Sequence, residues 1–201
     1  MNKLIIAFIL LTGSSNLHSQ ERASVMFTGS FVSFPEFRMK GAGYTLSFQQ
    51  HFLPKFAVEL GAGYALASHT ILRGEIVNNV RLLELNYHHA GYNFYAAPVL
   101  KIGNGKALSL DLFAGVVINY QSNVLDESHY EMPESPDYIG RITDIVYDNK
   151  VVEGTFPGGI VGCRIKARTG ERWRVFGSLS AMGIPKGVSS VNAGLGVQFS
   201  W

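Results

Sequence analysis

The chain has 201 residues, enough for one domain with a sizeable core, and 47% of them are hydrophobic, which argues against an intrinsically disordered protein. The net charge of +2 is too small to favour nucleic-acid binding. Only 16% of the residues are charged and 22 are glycine, a composition typical of a sheet with one apolar face. After the first 20 residues, no apolar run reaches the roughly 18 residues of a membrane-spanning helix.

The N-terminus has the pattern of a secretory signal peptide. A lysine at position 3 precedes an apolar segment at residues 4–11, and small polar residues follow. We therefore predict a signal peptide at residues 1–20 and a mature domain at residues 21–201. A buried N-terminal strand or helix is the alternative. Cys163 is the only cysteine and cannot form an internal disulfide, so cysteine usage does not indicate the compartment.

The mature chain alternates between apolar and polar residues with a period of two, which places successive side chains on opposite faces of a strand. The clearest example is residues 191–201, in which Val191, Leu195 and Val197 share one face while glycine and polar residues share the other. Most of these segments approach the roughly 9–11 residues that a tilted strand needs to cross a bilayer. Eight strands are predicted in this way, at residues 24–33, 43–52, 56–67, 93–102, 109–120, 160–167, 172–182 and 191–201.

The connections between these strands alternate in length. Tight turns rich in glycine and other turn-forming residues are predicted at residues 53–55, 103–106 and 169–171. Longer loops are predicted at residues 34–42, 68–92, 121–159 and 183–189. This alternation is typical of bacterial outer-membrane barrels. The predicted fold is therefore all-β, an eight-stranded antiparallel up-and-down transmembrane β-barrel with short periplasmic turns and long extracellular loops.

Aromatic residues occur at the strand ends, where the girdles of such a barrel would need them. The predicted periplasmic ends and outer ends each carry four of them. They are Phe52, Phe56, Trp173 and Trp201 on the periplasmic side, and Phe31, Tyr64, Phe94 and Tyr120 on the outer side.

From about residue 24 to Trp201 the chain resembles the small Gram-negative outer-membrane β-barrels of the OmpA, OmpX and OmpW type, the "outer membrane protein beta-barrel domain" group. The resemblance depends on the signal peptide, the turn and loop alternation, and the terminal strand at residues 191–201. It implies a location in the bacterial outer membrane, in contact with lipid and lipopolysaccharide. It also implies that Phe199 and Trp201 form the C-terminal signal read by the barrel-assembly machinery during insertion, with Trp201 in the place more often held by phenylalanine.

Several charged side chains point into the predicted lumen, in the half nearer the short turns. An eight-stranded barrel has an interior just wide enough for side chains to fill, so these charges must pair. The interpretation favoured is a salt-bridge plug, and a narrow polar pore or gate is the alternative. The inward-facing glycines would either leave room for water or relieve crowding. The predicted lumen charge network consists of Glu59, Lys101, Asp111, Arg164, Lys166 and Arg174.

A soluble secreted β-sandwich or lipocalin-like barrel shows similar alternation but turns its apolar face inward. In the membrane barrel, the charges face the lumen and the lipid-facing residues include Leu110, Leu112, Val116, Leu195 and Val197. In the soluble fold, these apolar residues would face inward.

Other candidate sites have weaker support. The loop at residues 121–159 is acidic and could hold a divalent cation that bridges to lipopolysaccharide, but its spacing matches no EF-hand and a solvated acidic loop is the simpler interpretation. His88 and His89 are adjacent on a strand and point to opposite faces, so a metal site is not favoured. No cofactor is predicted.

No catalytic constellation stands out, and we predict a non-enzymatic structural or binding barrel. Its extracellular loops at residues 68–92 and 121–159 would be the interaction surface for an envelope or extracellular protein. A narrow channel for small or hydrophobic solutes and a lipid A-modifying enzyme are the alternatives.

Overall fold

The computed structural model describes residues 23–72, 76–77, 80–103, 107–131 and 144–201, so the predicted signal peptide lies outside the described residues. Each strand of the barrel pairs antiparallel with the next, and the last pairs with the first. The predicted eight-stranded barrel is confirmed. Its strands are β1 (Ala23–Phe34), β2 (Met39–Leu53), β3 (Phe56–Leu72), β4 (Val80–Ile102), β5 (Leu108–Glu131), β6 (Asp144–Arg168), β7 (Trp173–Gly183) and β8 (Ser190–Ser200).

Two minor elements accompany these strands. A two-residue strand, Ile76–Val77, pairs with the start of β4, and a short 3₁₀ helix, Pro35–Phe37, joins β1 to β2. Within the described part of the chain, no helix is long and apolar enough to cross a membrane.

Because apolar and polar residues alternate along the strands, the barrel has an apolar outer face and a polar interior. Leu195 and Val116 are 77% and 67% exposed on the outer face, whereas Asp111 and Arg164 are 1% and 5% exposed inside. A soluble fold would bury the leucines and expose the charges, because burying unpaired charge costs several kcal/mol. The arrangement therefore requires lipid around the barrel, and the soluble sandwich or lipocalin-like alternative is excluded.

Four outward-facing tyrosines form a continuous row near the outer interface. Tyr44, Tyr64, Tyr92 and Tyr120 are direct register partners on β2, β3, β4 and β5. Their ring centroids are 5.7, 4.6 and 6.4 Å apart along this tyrosine row. The sequence predicted an outer girdle with Tyr64 and Tyr120 but without Tyr44 and Tyr92. Tyrosine rings suit this position because one end is apolar and the other polar.

A second aromatic group lies at the end with the short turns. The Trp173 and Phe199 rings are 5.0 Å apart, and Trp201 lies 6.1 Å from Phe199. On β3, Tyr64 in the tyrosine row lies eight positions after Phe56 at this end. A tilted strand covers about 20 Å of membrane depth in that distance, close to the ~25 Å apolar band of outer-membrane barrels.

Four strands continue well past the tyrosine row, which corrects the predicted loop bounds. Residues 68–92 and 121–159 were predicted as loops, but β3, β4, β5 and β6 occupy most of both ranges. The parts of these strands beyond the tyrosine row, residues 65–72, 80–91, 121–131 and 144–154, are here called the extracellular wall. By contrast, only residues 35–38 separate β1 from β2, so the loop predicted at residues 34–42 is a short connection.

Candidate functional site: a plugged lumen below an extracellular wall

The lumen contains an ion pair that bridges distant strands. Arg164 on β6 donates from Nη1 to Glu59 Oε2 at 2.5 Å and from Nη2 to Glu59 Oε1 at 2.6 Å. Glu59 lies on β3 and is fully buried. Tyr95 on β4 completes the carboxylate's shell by donating its hydroxyl hydrogen to Oε1 at 2.5 Å. Bidentate geometry and a third donor are what a buried carboxylate requires.

A second ion pair lies beside the first. Lys166 Nζ is 2.5 Å from Asp111 Oδ2, and both side chains are almost completely buried. Gln49, fully buried on β2, connects this pair to the other side of the barrel. Its Oε1 accepts from Lys166 at 3.3 Å, and its Nε2 donates to Asp111 at 3.5 Å. We call Glu59, Arg164, Tyr95, Asp111, Lys166 and Gln49 the lumen plug.

The two remaining residues of the predicted charge network have different positions. Lys101 is directly opposite Asp111 in the β4–β5 register, but it is only half-buried. Among the described residues it forms no ion pair with either plug carboxylate: Asp111 pairs with Lys166 and Glu59 with Arg164. Arg174, the second residue of β7, is buried near the same end of the lumen.

Three inward-facing glycines support the plug because each leaves space for an aromatic ring on the neighbouring strand. Gly61 is the direct partner of Tyr95, Gly162 of Phe113, and Gly196 of Phe176. In each pair, a Cβ atom on the glycine would collide with the partner's ring. The Arg164 guanidinium carbon lies 4.3 Å from the Phe113 ring centroid and 5.9 Å from that of Phe176. The rings therefore hold the guanidinium by cation–π contact while Glu59 neutralises it.

Other inward glycines leave space. A cavity of about 60 Å³ lies above the plug, with Gly43 and Gly63 in its lining, and has room for a few water molecules. Small polar side chains surround it. They are Thr28, Ser30, Thr45, Asn93, Ser178, Ser180 and Asn192.

The mouth of the barrel is covered by the connection between β7 and β8, residues 184–189, here called the lid segment. The side-chain amide of Gln121 on β5 binds the backbone of the lid segment through two hydrogen bonds, as a neighbouring strand would. Its Nε2 donates to Val188 O and its Oε1 accepts from Val188 N, both at 3.0 Å. Val188 and Ile184 are buried, and Val188 packs with Phe34 at the end of β1 and Met39 at the start of β2. The lumen is thus closed by polar pairs below and by an apolar lid above.

A buried histidine lies under this lid, on the extracellular side of the tyrosine row. The His89 ring centroid is 4.4 Å from that of Phe34, and His89 Nδ1 is 2.6 Å from Asn123 Oδ1. Burial lowers the pKa of His89, although the hydrogen bond to Asn123 partly opposes this shift. A neutral imidazole then donates its Nδ1 hydrogen to Asn123 Oδ1, and the amide Nδ2 of Asn123 is left as a donor.

The remaining predicted site residues face lipid. Phe199 and Trp201 lie on the outer face of the barrel at the short-turn end, where Trp201 is 53% exposed. Their role as an insertion signal stays a prediction. Cys163 also alternates outward, opposite the buried Arg164.

No protein-family model matches the chain, and no curated protein has a detectably similar sequence. Solved structures are similar in fold. The N-terminal β-barrel domain of Pseudomonas aeruginosa OprF has a TM-score of 0.50 at 16% identity, over 90% of this chain and 100% of that one. A major outer membrane protein from Thermus thermophilus has a TM-score of 0.52 at 10% identity, over 89% of this chain and 99% of that one.

Ail, the attachment invasion locus protein of Yersinia pestis, is also similar, with a TM-score of 0.48 at 13% identity, over 89% of this chain and 96% of that one. The chain shares its fold with the Pseudomonas and Thermus barrels. The chain itself also has a lipid-facing apolar surface and a closed polar lumen. The chain therefore has the fold of the small bacterial outer-membrane β-barrels, and its apolar outer surface faces lipid.

Proposed function

We propose that the protein is a non-enzymatic binding barrel whose extracellular wall is the surface for an envelope or extracellular protein partner. The observation that carries this proposal is the contrast between a closed lumen and a tall exposed sheet. The plug and the lid segment fill the interior, whereas β4, β5 and β6 project up to 12 residues beyond the tyrosine row. A rigid barrel that presents a projecting sheet is suited to binding.

The closed lumen supports binding over a channel. We expect the refolded mature protein in a planar lipid bilayer to give no discrete conductance steps. An established porin in the same bilayer serves as the positive control. The double variant Glu59→Ala/Arg164→Ala, which removes the centre of the plug, is expected to leak ions. Stable conductance steps from the wild-type barrel would favour the channel instead.

The wall itself can be tested by shortening it. Residues 71–85 and 126–149 would each be replaced by an Asn-Gly turn, because Thr70 pairs with Asn86 and Leu125 with Lys150 at the two junctions. Attachment of expressing cells to protein-coated surfaces is expected to fall to the level of cells without the protein. Heat-modifiable migration of the shortened barrel controls for folding. Unchanged attachment by a folded, shortened barrel would contradict the proposal.

A further inference from the structure

A crevice of about 230 Å³ opens at the extracellular mouth, between the start of β2 and the wall. Its volume lies below the roughly 300–1,000 Å³ of sites for drug-sized ligands, so it suits a small molecule and not a protein segment. Among the described residues, its lining consists of Met39, Tyr87, His88, Asn123, Val124, Lys150 and Val152.

Asn123, Lys150 and Val152 lie on the inner face of the wall, whereas His88 and Val124 alternate to its outer face. Val152 is the direct partner of Asn123, and Lys150 lies two residues away on the same face of β6. Val151, between them, points to the opposite face and is absent from the lining. Val151 and Val152 are 56% and 52% exposed, so this stretch of β6 has solvent on both faces. Of the crevice side chains, Lys150, Val152 and His88 are exposed, whereas Met39 is buried.

Two polar groups at the crevice, on Asn123 and Lys150, are donors. Asn123 uses its Oδ1 to accept from His89, so its Nδ2 is left to donate. The Lys150 ammonium is exposed and forms no ion pair with the carboxylates that the structure describes. An amide N–H and an ammonium together match a carboxylate, which accepts hydrogen bonds and carries the complementary charge.

The rest of the lining combines the His88 and Tyr87 side chains with apolar ones. Val152 contributes an exposed branched side chain and Val124 a half-buried one, whereas Met39 is buried in the apolar cluster under the lid. The aromatic ring of Tyr87 packs against the apolar cluster under the lid. We propose that the crevice binds a small amphipathic carboxylate, with its apolar chain against Val152 and its carboxylate at Lys150 and Asn123. This inference rests on the proposed binding function and names a ligand class for the wall.

The probe is octanoate, titrated calorimetrically into the refolded mature barrel in lipid nanodiscs, with octanol as the uncharged analogue. Val152→Trp would fill the crevice, whereas Val151→Trp adds the same bulk on the other face of the same strand. Lys150→Met removes the charge but keeps the apolar stem. We expect saturable octanoate binding by the wild type and by Val151→Trp. A loss of at least tenfold is expected for Val152→Trp, and a weakening of about fivefold for Lys150→Met.

Octanoate bound equally well by Val152→Trp and Val151→Trp would reflect partition into lipid and would overturn the inference. Equal affinity for octanol and octanoate would overturn the carboxylate assignment. The barrel shortened at residues 71–85 and 126–149 keeps every crevice residue. If the shortened barrel has lost attachment but still binds octanoate, this site is upheld separately from the protein-binding surface. If attachment is intact but octanoate binding is lost, this site alone is overturned.

Discussion

Glu59→Leu is expected to lower the free energy of unfolding by about 3–5 kcal/mol, the largest effect of any single substitution that we predict. Leucine fills much of the volume of glutamate but leaves the Arg164 guanidinium buried without a counter-charge. The Tyr95 hydroxyl loses its acceptor at the same time. The measurement is a urea titration of the refolded barrel in lipid vesicles, followed by tryptophan fluorescence, because Trp173 and Trp201 face the lipid.

The control is the double variant Glu59→Leu/Arg164→Met. Replacing both members of a buried ion pair by apolar residues is often neutral or stabilising, whereas removing one partner leaves an uncompensated charge. The double variant should therefore regain most of the stability that Glu59→Leu loses. If the single and double variants were equally unstable, the ion pair would not be the source of the loss.

Gly61→Val is expected to destabilise the barrel by about 2–4 kcal/mol, since it overpacks the lumen and displaces a hydrogen-bond donor. A side chain at this position would occupy the space of the Tyr95 ring, which would have to move away from Glu59. The same urea titration would report the loss.

Gly29→Val is the matched control for this substitution. Gly29 faces outward on β1, and a Cβ atom there would have no neighbour within 4 Å. The added valine meets lipid and suits a strand, so the stability should change by less than about 1 kcal/mol. A loss at Gly29 as large as that at Gly61 would show that glycine is needed for strand geometry in general and not for packing of the Tyr95 ring.

The part of the barrel inside the bilayer could be predicted from the sequence because one face must be apolar there. Asp111 and Arg164 are buried inside, between outward-facing apolar neighbours such as Leu112. Beyond the tyrosine row this requirement ends. Val151 and Val152 are adjacent and both exposed, so the alternation that identifies a strand disappears where β6 leaves the membrane. The strands of the wall were therefore predicted as loops.

The contacts within the lumen could be predicted only in part. Alternation decides which side chains face inward, and register decides which lie side by side, but neither gives the distance across the barrel. The pairing of Glu59 with Arg164 joins β3 to β6, strands that are not neighbours in the sheet. The contact between Gln121 and Val188 also joins a strand to a distant connection, and it leaves no local signal in the sequence.

The tyrosine row has a geometric consequence for how the barrel is held in its bilayer. Direct register partners lie along the hydrogen-bonding direction, perpendicular to the strands, and barrel strands tilt by about 35–45° from the membrane normal. A row of four such partners on adjacent strands is therefore a ramp that climbs about 9 Å through the interface between Tyr44 and Tyr120. The four hydroxyls sample successive depths from the acyl boundary into the headgroups, so they oppose rocking of the barrel as well as vertical displacement.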